Sequence, residues 1–314
     1  MATTLKISTP LSIGDIIGRG FRIFRMNVGL IAKVLLLPTI LLCFGRVFLT
    51  VGIANVPKAT LSFFSLEVVA FVLAGILVLI VGGFMFYMRQ LALVRFFMGF
   101  SDSYKDADKF MGTRYWTLTG LMLATMAAVV IIGVFWGIGI GLCVPMMALK
   151  GAGMAAGLLG ASLGVLGFLG CIVFISVAAQ ISMSCMAMES DDLGTIITHS
   201  AGLTARSFWR SIAFLTVTGV AVSLVAYPLC LPIVVAVSIN SVTSGILNGS
   251  HQAGAQLPIA LQVFNQLWEQ MMSMIVAPIS HICYGLYYCD LRMRQEGLDL
   301  VERAKSFELQ SSNI

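Results

Sequence analysis

Long apolar runs alternate along the chain with shorter stretches in which polar and charged residues recur. The runs cover residues 28–52, 66–88, 118–143, 153–180, 211–239 and 266–289. Each is long enough for the roughly 20 helical residues that cross a hydrocarbon core about 30 Å thick. They are continuously apolar, which fits helices; barrel strands would alternate. The pattern predicts an all-α polytopic membrane helix bundle, a single integral membrane domain over 1–314 with six transmembrane helices in 28–289.

The polar stretches also carry helical signals. Ser12 and Asp15 have capping-box spacing. Beyond them Ile13, Ile16, Ile17, Gly20, Ile23 and Phe24 share one side of a helix, with Asp15, Arg19, Arg22 and Arg25 towards the other. Residues 12–27 therefore read as a basic amphipathic helix lying in the membrane interface. Two later stretches repeat the layout. Ser101-Asp102-Ser103 leads to Arg114-Tyr115-Trp116, and Asp191-Asp192 leads to Phe208-Trp209-Arg210, each followed by an apolar run. Acids suit helix N-termini, and Trp and Tyr suit the interface. The starts at Gly14, Ser101 and Gly194 lie 87 and 93 residues apart. The chain thus reads as a three-fold repeat of an interfacial helix plus a transmembrane hairpin.

Composition agrees: 59% of the 314 residues are hydrophobic and 11% charged, far from a soluble domain. The basic residues fall in alternate gaps. Lys6, Arg19, Arg22, Arg25 and Lys33 precede or open the first run. Arg89, Arg95, Lys105, Lys109 and Arg114 fill the second gap, Arg206 and Arg210 the fourth, and Arg292, Arg294, Arg303 and Lys305 the tail. The opposite side holds Lys58 and Lys150, and Arg46 lies within the first run. The positive-inside rule places both termini, and the 290–314 tail, in the cytoplasm. The net charge of +5 then reads as topology and anionic-lipid contact, not nucleic-acid binding. No cleavable signal pattern precedes the first run, which is expected to act as an uncleaved anchor.

Candidate chemistry is sparse. The seven cysteines lie in or beside apolar segments, with no CxxC pair and no Cys/His spacing, so buried thiols without metal or cofactor are expected. Residues 160–164 spell GxSxG, but that elbow needs a strand–turn–helix. Here it falls in a glycine pattern. Gly133, Gly137 and Gly141, and Gly153, Gly157, Gly160, Gly164 and Gly167, predict close backbone packing of the third and fourth spans. Pro228 and Pro232 should bend or break the fifth. His281 is the one histidine within a span, a functional candidate expected foremost to bond a neighbouring helix. Lys33 and Arg46 can snorkel to the borders. Glu67, Glu269 and Gln180 would line a pathway if they faced one cavity. Asn248-Gly249-Ser250 spells a glycosylation sequon on the outer side. No P-loop, dinucleotide fingerprint or catalytic carboxylate pair is present, and no enzymatic activity is expected.

The tail Tyr287-Tyr288-Cys289-Asp290-Leu291-Arg292-Met293-Arg294-Gln295-Glu296-Gly297-Leu298-Asp299-Leu300 resembles the end of the membrane domain attached to some bacterial glycerophosphoryl diester phosphodiesterases, shared by related stand-alone bacterial membrane proteins. The opening Leu11-Ser12-Ile13-Gly14-Asp15-Ile16 with Phe21-Arg22-Ile23-Phe24-Arg25 is similar to that family's start, and Glu189 to Arg210 resembles its internal helix. Cys289 departs from it, standing where an aromatic is expected. The resemblance implies a multi-helix domain of the bacterial inner membrane and does not imply phosphodiesterase activity, since catalysis in fused members belongs to a separate soluble barrel. Arg19, Arg22, Arg25, Asp290, Arg292, Arg294 and Glu296 are the expected contacts to lipids or a partner complex. The expected role is a non-catalytic scaffold or accessory subunit. The alternative is a permease for a lipid-like or small amphipathic solute.

Overall fold

The computed structural model describes residues 10–54, 66–147, 151–248 and 258–297. Lys6, Lys58, Lys150, Arg303, Lys305, the Glu67 side chain and the sequon side chains lie outside the described residues. The described residues form nine helices and no strand: α1 (Ile13–Met26), α2 (Val28–Ala54), α3 (Leu66–Phe97), α4 (Tyr104–Thr113), α5 (Tyr115–Met147), α6 (Ala152–Met188), α7 (Leu193–Arg206), α8 (Phe208–Asn248) and α9 (Ile259–Glu296). A short helix followed by two long ones recurs three times.

One backbone device recurs with it. Asn27, Arg114 and Ser207 each stand alone between a short helix and the next long one. Each donates its N–H to the carbonyl three residues back (Phe24, Met111, Thr204; 2.8–3.3 Å). Each carbonyl then accepts the first hydrogen bond of the long helix, from Ile31, Leu118 and Ser211. These junctions lie 87 and 93 residues apart, the spacing predicted for the repeat. The predicted capping box also forms: Asp15 N–H donates to Ser12 Oγ at 3.1 Å, and Ser12 N–H to Asp15 Oδ2 at 3.3 Å. On α1, Ile16, Ile17 and Ile23 are buried, whereas Asp15, Arg22 and Arg25 are exposed and Arg19 half-buried.

Five stretches are long and apolar enough to cross a membrane: Ile13–Ile53, Val68–Phe97, Tyr115–Met146, Gly153–Met188 and Phe208–Ile239. The chain is a multi-pass membrane protein. The helix α9, which carries the sixth predicted run, has 38 residues but is more polar and falls outside those five. Helices α3 and α6 overrun their predicted spans, to Phe97 and Met188, because Leu91–Val94 and Ile181–Met188 are buried in protein. The α3 end is a Schellman turn: Gly99, at φ 80°, donates to Phe96 O, and Phe100 to Arg95 O.

Within the described residues the chain divides into two compact units, one of residues 17–93 and 218–283 and the other of 10–16, 94–217 and 284–297. In the first, α2 and α3 meet backbone to backbone. A Cβ at Gly45 would lie 2.9 Å from Leu79 N, one at Gly75 3.1 Å from Gly45 O, and one at Gly82 3.2 Å from Leu42 N. Small residues allow this approach. Pro38 removes the N–H that would bond Val34 O, and Arg89 Nη1 supplies a replacement at 2.8 Å. Pro228 and Pro232 do not break α8, which is continuous through both. Trp268 Nε1–H donates to Leu229 O at 2.8 Å in the turn they disturb. His281 bonds its own helix, Nδ1 to Ala277 O at 2.9 Å, and not a neighbouring one.

In the second unit α5 and α6 pack together, but the predicted glycine seam is corrected. Cβ positions at Gly133, Gly137 and Gly141 have no neighbour within 4 Å among the described residues. Only α6 uses its small residues: Gly160, Gly164 and Gly167 receive Cys143, Ile140 and Trp136. On α5 the residues 136, 140 and 143 share one face, and the glycines stand beside it.

Candidate functional site

Helical periodicity sorts the end of α9 into separate faces. Tyr287, Asp290 and Arg294 follow the i, i+3, i+7 spacing of one face, while Tyr288 and Arg292 lie on another. On the first face the Tyr287 ring stacks on Phe214 of α8, centroids 4.1 Å apart, and its hydroxyl meets Ser211 Oγ at 2.9 Å. Asp290 has no solvent exposure. It accepts from Leu11 N–H (2.7 Å), Arg210 Nη2 (2.6 Å) and Arg294 Nε (3.1 Å). The Leu11 carbonyl accepts from Arg210 (2.8 Å) and Arg294 (2.9 Å). The backbone of one residue, Leu11, is thus held at both its N–H and its carbonyl, and the buried carboxylate has the cations that burial demands.

The second face meets the C-terminal end of α6. Glu189 Oε1 accepts from both the Tyr288 hydroxyl and Arg292 Nη1. Arg292 Nε reaches Glu296 Oε2 at 2.8 Å, and Glu296 Oε1 meets His199 Nε2 of α7 at 2.6 Å. Burial opposes the charge on Arg292, but its bond to Glu296 and the negative charges of Glu189 and Glu296 outweigh it and raise its pKa. Burial likewise pushes the Glu296 carboxyl up, and its bonds to Arg292 and His199 overcome this and hold it below its ordinary value. Gln295 ties the same helix to Leu203 O and Ser207.

Two further arginines cover the carbonyls where α6 ends. Arg95 donates to Ala187 O (2.8 Å) and Met188 O (3.2 Å), and Arg114 to Glu189 O (3.2 Å) and Asp191 O (2.7 Å). Of these, the Ala187 and Met188 carbonyls belong to the last turn of α6 and carry the negative end of its dipole. Both guanidiniums lie over the Phe110 ring, Arg95 Cζ 3.6 Å and Arg114 Cζ 5.5 Å from its centroid.

The structure therefore turns the predicted tail contacts inward: Asp290, Arg292, Arg294 and Glu296 all hold intramolecular ion pairs. Of the predicted basic set, Arg22 and Arg25 of α1 and Arg294 are exposed, and of these Arg294 is held in an ion pair with Asp290. Trp116 and Trp209, each two residues past a junction, are 79% and 80% exposed. Arg95, Arg114 and Arg210 register in the sequence as topology charges, the last two also as border residues of the repeat, but not as site residues. The structure also gathers Cys185, Glu189 and His199, whose ligand atoms lie within 4.8 Å of one another. No Cys/His spacing marks them, but Cys185 and Glu189 are one turn apart.

A separate polar group lies in the other unit. Arg46 pairs with Glu269 at 3.0 Å and, with the Gln270 amide oriented to accept, bonds it too. Thr50 donates to Gln266 at 2.6 Å. Beside this group a cavity of about 420 Å³ opens between α8 and α9, lined by Cys230, Ile233, Trp268, Glu269 and Met272 among others.

Compared with protein-family models, curated proteins and solved structures, the chain matches none.

Proposed function

We propose that the chain is a non-catalytic scaffold or accessory subunit of the bacterial inner membrane, with six spans, both termini cytoplasmic, and a cytoplasmic layer that engages anionic lipid or a partner complex. The observation that carries this is the division of labour among the charges. The tail's charges are consumed in holding helices together, and Arg22 and Arg25 of α1 stand exposed. Hydroxyls of the long helices also turn inward on their own backbone: Thr39, Thr125, Ser182, Thr216 and Ser238 each donate to the carbonyl four residues back. Such self-satisfied groups suit a packed bundle and leave little to line a solute path. The basic asymmetry and the family resemblance support the orientation and the bacterial membrane.

The test is Arg22→Glu with Arg25→Glu, in protein purified in mild detergent. Co-purified anionic lipid and binding to vesicles containing phosphatidylglycerol should fall, on the order of fivefold per arginine near a charged surface. Unchanged lipid and partner content in a correctly inserted variant refutes the proposal.

The cavity beside Glu269 favours a second reading, a permease for a lipid-like or small amphipathic solute. Flux of a short-chain fluorescent phospholipid across proteoliposomes, abolished by Ala226→Trp in the cavity wall, would favour it over the scaffold.

A further inference from the structure

We propose that Cys185, Glu189 and His199 form a binding site for a divalent transition-metal ion, zinc by preference. The inference is independent of the scaffold reading and concerns three side chains, two of which, Glu189 and His199, also take part in the tail's ion pairs.

Three observations converge. The first is placement. Cys185 and Glu189 are one helical turn apart at the end of α6, and His199 comes from α7. Their ligand atoms are mutually within 4.8 Å. Zinc bonds of about 2.0–2.3 Å put neighbouring tetrahedral ligands roughly 3.3–3.8 Å apart, so modest side-chain rotation closes the site. The second is orientation. Glu189 Oε1 is held by Tyr288 and Arg292, while Oε2 faces Cys185 Sγ at 3.7 Å. The His199 ring is gripped at Nε2 by Glu296. Metal ligands are commonly fixed by such outer partners, among which carboxylate–histidine pairs recur. The third is charge. Two carboxylates, those of Glu189 and Glu296, pair with one guanidinium, that of Arg292. A dication that displaces the thiol proton to solvent brings the cluster to neutrality, because the metal–sulfur bond forms as the S–H bond breaks. A thiolate, an imidazole and a carboxylate together select zinc over magnesium or calcium. Three protein ligands leave one tetrahedral position open.

The experiment uses the full chain in mild detergent, stripped with a chelator and titrated with cobalt(II), then with zinc. The expected result is one cobalt per chain with thiolate-to-cobalt charge-transfer absorption, lost when zinc displaces it. Cys185→Ser should remove the band, and Glu296→Gln should weaken binding about tenfold. No band in the wild type, a band that persists in Cys185→Ser, or zinc that fails to displace cobalt overturns the proposal. Should Cys185→Ser not fold, His199→Gln decides: its side chain is 29% exposed, and undiminished metal affinity in that variant overturns the site.

Discussion

Asp290 accepts hydrogen bonds from a backbone amide and two guanidiniums while fully buried. Asp290→Ala leaves Arg210 and Arg294 without their counter-charge and should cost about 3–5 kcal/mol. Thermal unfolding in detergent measures this, and an unchanged midpoint would mean the clamp carries no stability. Glu296 is a subtler case. Its pKa is held below the ordinary 4.5, so the folded state binds its proton less readily than the unfolded chain. The resulting stability is fully present above the ordinary value and is lost as pH falls through the depressed one. The difference in melting temperature between wild type and Glu296→Gln should thus stay constant from neutral pH down to about pH 5 and close in more acid buffer. A difference that closes between pH 8 and 6 would contradict the assignment.

At the scale of the element, prolines and glycines decide how the long helices pair. Arg89 stands in for the N–H that Pro38 lacks. Arg89→Met should leave Val34 O unbonded, at about 1–3 kcal/mol. Adding Pro38→Ala restores the amide, so the double variant should recover much of the loss; equal loss in both would refute the substitution of one donor for another. The glycines separate into two kinds. Gly75→Leu drives a side chain into the α2 backbone and should destabilise by about 1–3 kcal/mol or more through overpacking. Gly137→Leu meets open space and should leave the melting temperature unchanged. Comparable losses in the two variants would show that the α2–α3 seam is not special.

For the whole molecule, three rounds of short helix, single-residue junction and two long helices give one plan used three times. If each junction marks the inner membrane border, the six-span arrangement follows, with α9 as the sixth. Cysteines introduced at Lys105 and Lys305 should react only with membrane-permeant reagents in intact cells, and those at Lys58 and Ser250 with impermeant ones. Impermeant labelling at 105 or 305 would reverse the proposed orientation. The polarity of α9 has its own explanation at this scale: its far half carries Glu269 and Gln270 on Arg46, and its near half carries the Asp290–Glu296 ion pairs.

How much of this was legible in the sequence depends on the range of the interaction. Helix positions, the Ser12–Asp15 box and the 87- and 93-residue repeat follow from periodicity and from hydrocarbon thickness, which act within a few turns of chain. Residue sequence also sorted α1 into a buried and an exposed side, because one face of a short helix is read at 3.6 residues per turn. The rotation of each long helix about its axis was not legible. Nearly uniform apolar runs have no polar face to set it, so Gly133, Gly137 and Gly141 looked like a seam while Gly45, Gly75 and Gly82 formed one. Arg294 and Glu296 lie one turn from Asp290 and Arg292, but the other partners are distant: Arg210 is 80 residues from Asp290, Glu189 is 103 from Arg292 and Leu11 is 279 from Asp290. Only the tertiary structure brings them together, and with them Cys185 and His199, since charges sparse enough to read as topology find counter-charges only when the helices are packed.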